Sequence, residues 1–387
     1  MQQKADGQGY APTGEYKPVC SKGEFQVGII GLDHGHIYGM CNGLLEAGAT
    51  LHLVWDKSPD KIEAFRRQYP DIGIAACPEE ILESDSIHLV ASAGIPCDRG
   101  AIGIEALRHQ KDFFSDKPPC TTLEQLEDIR RAVKETGRKF GVYYSERLHV
   151  EAATHAGALI SQGAIGKVQH VMGWGPHRIS LDTRPEWFFD PACYGGILTD
   201  IGCHQIEQIL AFTSAKSAVI ETSRVGNFAH PTYPKLQDFG DASITCDNGA
   251  TGYFRVDWFT PAGLGSWGDG RVIIEGTEGY IEIRKYLDIA RDPEGDHIYL
   301  VNGEGEYHFK TAGKAGFPFF GQFIKDCMER TELAMTQEHT FLAIELALQA
   351  QKQARHIQAN HRQTGEERMA HAASCHSWSG SGSPGPR

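Results

Sequence analysis

The stretch Phe25-Gln26-Val27-Gly28-Ile29-Ile30-Gly31-Leu32-Asp33-His34-Gly35-His36-Ile37-Tyr38-Gly39 decides the fold. A short apolar run of strand type, 25–30, passes through a glycine turn into a helical segment that reaches Ala47. Strand, turn and helix make the first unit of a dinucleotide-binding sheet, in which the helix N-terminus receives a pyrophosphate. Residues 51–56 read as a second strand, ending in an acid 25 residues after Gly31. An acid there accepts hydrogen bonds from the adenosine ribose and repels a 2′-phosphate, so Asp56 favours NAD over NADP, with Lys57 softening the preference. The turn departs from G-x-G-x-x-G, because Asp33 and His36 stand where glycines would, leaving Gly31, Gly35 and Gly39 spaced by four. His34 and His36 raise the alternative of a metal. Without a placed third ligand they read as turn or cofactor contacts, and no metal is expected.

The strand-helix alternation continues through a helix at 61–69, a strand at 87–92, a helix at 99–109, a strand at 112–115, a helix at 123–136 and a last strand at 139–144. Open sheets of this kind bind ligands beyond the carboxyl ends of their strands. Gly31, Asp33, His34, Gly35, His36, Asp56 and Lys57 are therefore expected cofactor contacts, as are Ala93, Pro96, Asp116 and Lys117. Lys117 stands before two prolines, on a turn that proline stiffens.

The second half has a different grain. Segments at 168–174, 218–227, 242–246, 251–258, 271–275, 279–284 and 298–301 alternate polar and apolar residues between glycine turns, which predicts a largely antiparallel sheet with one solvated or partner-covered face. A patterned helix at 337–355 closes the core. The expected organisation is a loosely ordered arm at 1–24, a cofactor domain at 25–147, a second domain at 148–358 and a disordered tail at 359–387. Asp257-Trp258 and Gly268-Asp269-Gly270-Arg271 are polar clusters without a role in this reading.

Composition narrows the partners. The 387 residues are 41% hydrophobic and 22% charged with a formal charge of −13, which argues against a nucleic-acid surface. No run approaches the ~18 apolar residues of a membrane span. Residues 1–22 lack the apolar core of a signal peptide. Ten cysteines are scattered with no C-x-x-C pair, as expected for reduced thiols in the cytoplasm.

The chemistry concentrates in Gly195-Gly196-Ile197-Leu198-Thr199-Asp200-Ile201-Gly202-Cys203-His204-Gln205-Ile206-Glu207. A helix starting near Asp200 places Asp200 and His204 at i and i+4 on one face. An imidazole beside a carboxylate exchanges a proton near neutral pH. The plainer alternative makes Asp200 a helix cap and His204 a core histidine.

In order and spacing these motifs resemble the GFO/IDH/MocA family (glucose-fructose oxidoreductase, inositol dehydrogenase and MocA) over about residues 25–358. The resemblance rests on the turn at 27–35, on Asp116-Lys117-Pro118 where the family usually has Glu-Lys-Pro, and on Gly195, Gly196, Asp200, Gly202, His204 and Glu207. It implies an α/β protein with an N-terminal Rossmann domain and a C-terminal α/β domain. The large, open, mostly antiparallel sheet of the latter often forms the subunit interface, so a homo-oligomer is expected. It also implies NAD or NADP and hydride transfer at a secondary hydroxyl of a sugar or polyol, with ring C3 of a sugar or glycoside a common target.

Oxidising an alcohol needs a base on the hydroxyl as hydride leaves carbon. His204 is the expected base and Asp200 orients the pair. Lys117 stabilises the alkoxide, or itself takes the proton if burial lowers its pKa. Substrate contacts are expected from Tyr144, Glu146, Arg147 and His149 after the last Rossmann strand, and from His177, Arg178, Arg184 and Trp187 before the catalytic helix. The turn at 175–178 is expected to aim His177 and Arg178 together. Two other functions compete. One is glycoside cleavage by transient oxidation, elimination and re-reduction with a retained cofactor, using Tyr143, Tyr144 or His149 as a further base. The other is a non-catalytic sugar-binding regulator.

Overall fold

The computed structural model describes residues 7–14 and 17–358. Strands β1 (Gln26–Ile30), β2 (Thr50–Trp55), β3 (Gly73–Ile74), β4 (Leu89–Ser92), β5 (Asp112–Asp116) and β6 (Phe140–Tyr143) form one sheet in the order β3-β2-β1-β4-β5-β6. All its pairings are parallel. Every residue of β4, β5 and β6 is buried, as strands covered by helices on both faces must be. The strand order reverses between β1 and β4, which opens a crevice above their carboxyl ends.

Strands β7 (Val168–Pro176), β8 (Ala218–Asn227), β9 (Phe239–Cys246), β10 (Thr251–Asp257), β11 (Arg271–Gly276), β12 (Gly279–Arg284), β13 (His297–Asn302), β14 (Gly305–Lys310) and β15 (Arg355–Gln358) form the second sheet. Their order is β14-β13-β12-β11-β7-β10-β9-β8-β15, and the pairs β7/β10 and β8/β15 are parallel within an otherwise antiparallel sheet. The helix Gly202–Thr213, buried at every residue but Ala211, lies on β7, while Trp174, Tyr253 and Tyr280 stand exposed on the opposite face.

Three elements differ from the sequence reading in a way that matters. The helix Pro318–Glu329, which the pattern did not reveal, returns to the first sheet and packs Phe323 against Phe114, ring centroids 5.2 Å apart. The helix expected at 337–355 ends at Gln353, and the chain continues into β15. The arm expected to fray, or to lie on a partner, packs on its own chain over residues 7–14, where the Gly14 amide donates to Glu46 Oε1 at 3.0 Å. The tail expected at 359–387 lies outside the described residues. Among the described residues every cysteine is a free thiol, and no helix is long and apolar enough to cross a membrane.

Candidate active site

Lys117 leaves β5 on a turn that a buried arginine pins. Arg99, in the helix Pro96–Arg108, donates from Nε to the Gly94 carbonyl at 2.6 Å and from Nη1 to the carbonyls of Lys117 (2.6 Å) and Pro118 (3.1 Å). Its Nη2 lies 2.9 Å from Asp116 Oδ2, and both side chains are almost wholly buried. Burial opposes charge on Asp116, but Arg99, His36 and His34 together hold its carboxyl well below the usual range. Sequence reasoning missed Arg99, which reads as one more helix-surface arginine.

With its backbone fixed, Lys117 reaches across to the second domain, where Nζ donates to Asp200 Oδ1 at 2.7 Å. Burial works against the ammonium, yet Asp200 and then Asp116 hold its pKa above the ordinary lysine value. Burial likewise works against the carboxylate, and Lys117 holds Asp200 below its ordinary value. The raised pKa favours the cationic alternative for Lys117 over the one in which burial lowers its pKa.

The helix expected to carry both Asp200 and His204 is broken. Ile197–Asp200 is one short helix and Gly202–Thr213 the next, with Ile201 at φ −96°, ψ −38° between them. Gly196, at φ +84°, opens the first of them, and an added Cβ there would stand 2.3 Å from the Gln351 side chain. Asp200 thus turns to Lys117 and neither caps the helix nor bonds His204. His204 is buried with its Nδ1 unpartnered. Burial drives its pKa well below the ordinary value against the opposing pull of Glu146, so the imidazole is neutral.

A cleft opens where the domains meet. His34, His36, Pro96 and Lys117 line it from the first domain, and His177, Arg184, Trp187 and Asp200 from the second. Phe188 adds an aromatic wall together with Trp258, which the sequence reading left without a role. The Arg184 guanidinium lies 4.4 Å from the Phe188 ring centroid and 5.0 Å from that of Trp258. His177 Nδ1 faces the Gly175 carbonyl at 3.1 Å, and Nε2 stands 3.7 Å from Glu146 Oε1. Burial lowers the His177 pKa to about 4. Glu146 sits behind it, held by Lys285 Nζ at 2.6 Å and Gln205 Nε2 at 2.8 Å. Lys285, fully buried, gave no signal in sequence.

Four expected substrate contacts are turned elsewhere. The Tyr144 hydroxyl donates to the Thr340 carbonyl at 3.0 Å inside the core. Arg147 Nε donates to both oxygens of Glu207 at 2.8 Å, and His339 Nε2 lies 3.1 Å from the same carboxylate. His149 is buried with Nδ1 2.5 Å from the Tyr143 hydroxyl, its ring against Phe317 and Phe320. Arg178 Nη2 donates to the carbonyls of Pro261, Leu264 and Ser266, so the turn at 175–178 separates Arg178 from His177. These residues hold the fold around the cleft.

The crevice beside the cleft has the form of a dinucleotide cradle. Gly31 adopts φ +88°, and a Cβ there would meet Gly94 Cα at 3.0 Å, so only glycine allows the two loops this approach. Ala93 ties them, donating to the Gly31 carbonyl at 3.2 Å and accepting from the His34 amide at 2.8 Å. No side chain caps the helix His36–Glu46, whose N-cap is Gly35. Asp33, an acid where a diphosphate would lie, is paired with Lys61 Nζ at 2.5 Å. Asp56 accepts from the amides of Leu32 (2.7 Å) and Ser58 (2.8 Å) at the end of β2, and Lys57 is exposed. His36 Nδ1 and His34 Nδ1 lie 2.8 and 3.2 Å from Asp116, a trio spaced for a metal ion. The Arg99 guanidinium already supplies the positive charge on that carboxylate.

Residues 25–144 match the family model of an oxidoreductase family with an NAD-binding Rossmann fold, and residues 154–282 match the GFO/IDH/MocA C-terminal domain. The chain belongs to the GFO/IDH/MocA family. A solved member from Erwinia carotovora atroseptica, described as an oxidoreductase, is 51% identical. It is matched over 86% of this chain and 100% of its own, with a TM-score of 0.84. The NADP-dependent scyllo-inositol 2-dehydrogenase IolW of Bacillus subtilis is 27% identical over 55% of this chain, which spans 61% of that relative's length. The NAD-dependent scyllo-inositol 2-dehydrogenase of the same bacterium is 27% identical over 67% of this chain and 71% of its own length. A levoglucosan dehydrogenase bound to NADH shares the fold at 18% identity, with a TM-score of 0.69 over 85% of this GFO/IDH/MocA chain and 98% of its own.

Proposed function

We propose that this chain is an NAD-dependent dehydrogenase acting on a secondary hydroxyl of a sugar or polyol. The observation that carries the reading is the Lys117–Asp200 ion pair, formed across the two domains on the wall of a cleft that adjoins the Gly31 cradle. A bound nicotinamide supplies the hydride acceptor. Lys117 donates a hydrogen bond to the reacting oxygen and stabilises the negative charge that grows there. Asp200 keeps the ammonium charged and aimed. The hydroxyl proton passes inward by way of Lys117 to His204, whose buried imidazole is neutral. Trp187, Phe188 and Trp258 offer a sugar ring an apolar face, and His177 and Arg184 offer its hydroxyls polar partners.

Asp56 at the end of β2 supports NAD over NADP, since a 2′-phosphate would meet a carboxylate. The exposed face around Trp174, Tyr253 and Tyr280 supports a homo-oligomer joined through the second sheet. Free thiols suit the cytoplasm. Within the substrate class, the hydroxyl at ring C3 is the first position to test. Cleavage of glycosides by elimination and re-reduction would need a further base. The burial of Tyr143, Tyr144 and His149 away from the cleft weighs against those three.

Purified protein incubated with NAD or NADP and a panel of inositols, aldoses and glycosides tests the reading through absorbance at the reduced-nicotinamide band. Stoichiometric reduction by one of these alcohols supports it. No reduction with any would sink it, and sugar release without net reduction would favour the cleavage mechanism.

A further inference from the structure

The cleft has an outer wall that belongs to neither sheet. Gly7 lines it beside Lys117 and His177, and an added Cβ on Gly7 would stand 3.0 Å from the Trp267 ring. Three residues on, the Tyr10 ring packs 5.2 Å from that of Tyr286 and 5.9 Å from that of Trp267, centroid to centroid. Its hydroxyl donates to the His149 carbonyl at 3.2 Å. All of these partners belong to the second domain. On the first domain, Asn42 Nδ2 donates to the Ala11 carbonyl at 3.4 Å, and Glu46 Oε1 accepts from the Gly14 amide at 3.0 Å. Residues 7–14 therefore lie across the junction of the two domains, over the place where the cleft opens.

Two features suit this segment to movement. It joins no sheet and is held by single hydrogen bonds and one aromatic ring, the kind of seat that opens at low cost in free energy. The cleft beneath it has a volume of about 30 Å³. Sites that hold small molecules run to ~300–1,000 Å³. A sugar next to Lys117 therefore requires a wall to retreat, and the segment at 7–14 is a part of that wall that belongs to no sheet. Trp267 links the segment to the chemistry, because its ring lies 4.5 Å from that of His177.

We propose that residues 7–14 are a strap that closes the substrate cleft and, through Gly7 and Tyr10, limits the size of the sugar or polyol admitted beside Lys117. The proposal rests on the reading of this cleft as a sugar or polyol site. Tyr10 is the anchor. Removing its ring leaves the strap without its packing on Trp267 and Tyr286 and frees the mouth of the cleft.

The test uses the full chain with Tyr10→Ala and Tyr10→Phe. Hydrogen exchange at the amides of Tyr10 and Gly14, which donate to the Gly7 carbonyl and to Glu46 Oε1, reports the seat of the strap whatever the turnover. These amides should be protected in the parent protein and in Tyr10→Phe, and exchange freely in Tyr10→Ala. Turnover is then compared for a free inositol and a disaccharide. Tyr10→Ala should shift the ratio of kcat/KM toward the disaccharide by about tenfold or more, with NAD affinity unchanged and Tyr10→Phe like the parent. If Tyr10→Ala releases the segment while the ratio stays put, the strap does not gate the cleft. Free exchange at these amides in the parent protein overturns the closed seat itself. Should neither alcohol reduce the cofactor, calorimetric affinities for the same two compounds supply the ratio, so a failure of the dehydrogenase reading stays distinct from a failure of the strap.

Discussion

Replacing Arg99 with leucine is the sharpest single perturbation of the site. The guanidinium bonds the carbonyls of Gly94, Lys117 and Pro118 and the Asp116 carboxylate, and both ends of that ion pair are shielded from water. Leucine would leave a buried carboxylate facing two imidazoles and three carbonyls short of a donor. Breaking one side of a buried pair costs about 3–5 kcal/mol. Against a total stability of about 5–15 kcal/mol that is a large fraction. Urea unfolding followed by circular dichroism at pH 7.5 should show the loss as a lower midpoint with an unchanged slope. Asp116→Asn in the Arg99→Leu background should recover part of it, because the stranded charge is gone. Under conditions where the variant is folded, turnover should fall more than NAD affinity, since the Lys117 backbone loses its anchor. A destabilisation below about 1 kcal/mol, with no recovery in the double variant, would show that the buried pair contributes little and that the turn holds itself.

Four further outcomes are expected. His204→Ala should lower kcat by about 100-fold or more while leaving cofactor affinity intact, and full turnover would remove the imidazole from proton transfer. Asp56→Ala should weaken NAD and narrow its advantage over NADP, measured as the ratio of kcat/KM values; an unchanged ratio would place the ribose elsewhere. Lys61→Ala should weaken either cofactor by exposing the diphosphate to an unpaired Asp33, whereas unaltered binding would show that Asp33 faces away. Stability should also fall with acid well before the carboxylates titrate. Burial lowers His34 and His177 to about 4 and His149 to about 3, all under the unfolded value of ~6.5. Below pH ~6.5 the unfolded chain therefore binds protons that the folded one refuses, and each such histidine removes up to ~1.4 kcal/mol per pH unit until its folded pKa is reached. A urea midpoint equal at pH 7.5 and pH 5 would contradict that burial.

The sequence by itself determined the architecture and the pair of loops that meet at the cleft. Apolar runs that stop at Gly31 and Ser92 announce strands whose ends converge, since strands buried on both faces of a parallel sheet are mostly apolar. Lys117 before two prolines and the glycine pair before Asp200 were legible for the same local reason: backbone restraint is written in residue type. What only the tertiary structure decided is which side chain meets which. Asp200 pairs with Lys117 from a short helix that is seated on Gln351, a residue 155 positions beyond Gly196. Arg147 and Arg178 looked like ligands for a sugar, but Glu207 and a ring of loop carbonyls hold them. Arg99, Lys285 and the strap were invisible because a charge or a glycine carries no local mark of its distant partner. Periodicity reports which face of an element is buried, whereas the identity of what covers that face depends on contacts between residues far apart in the chain.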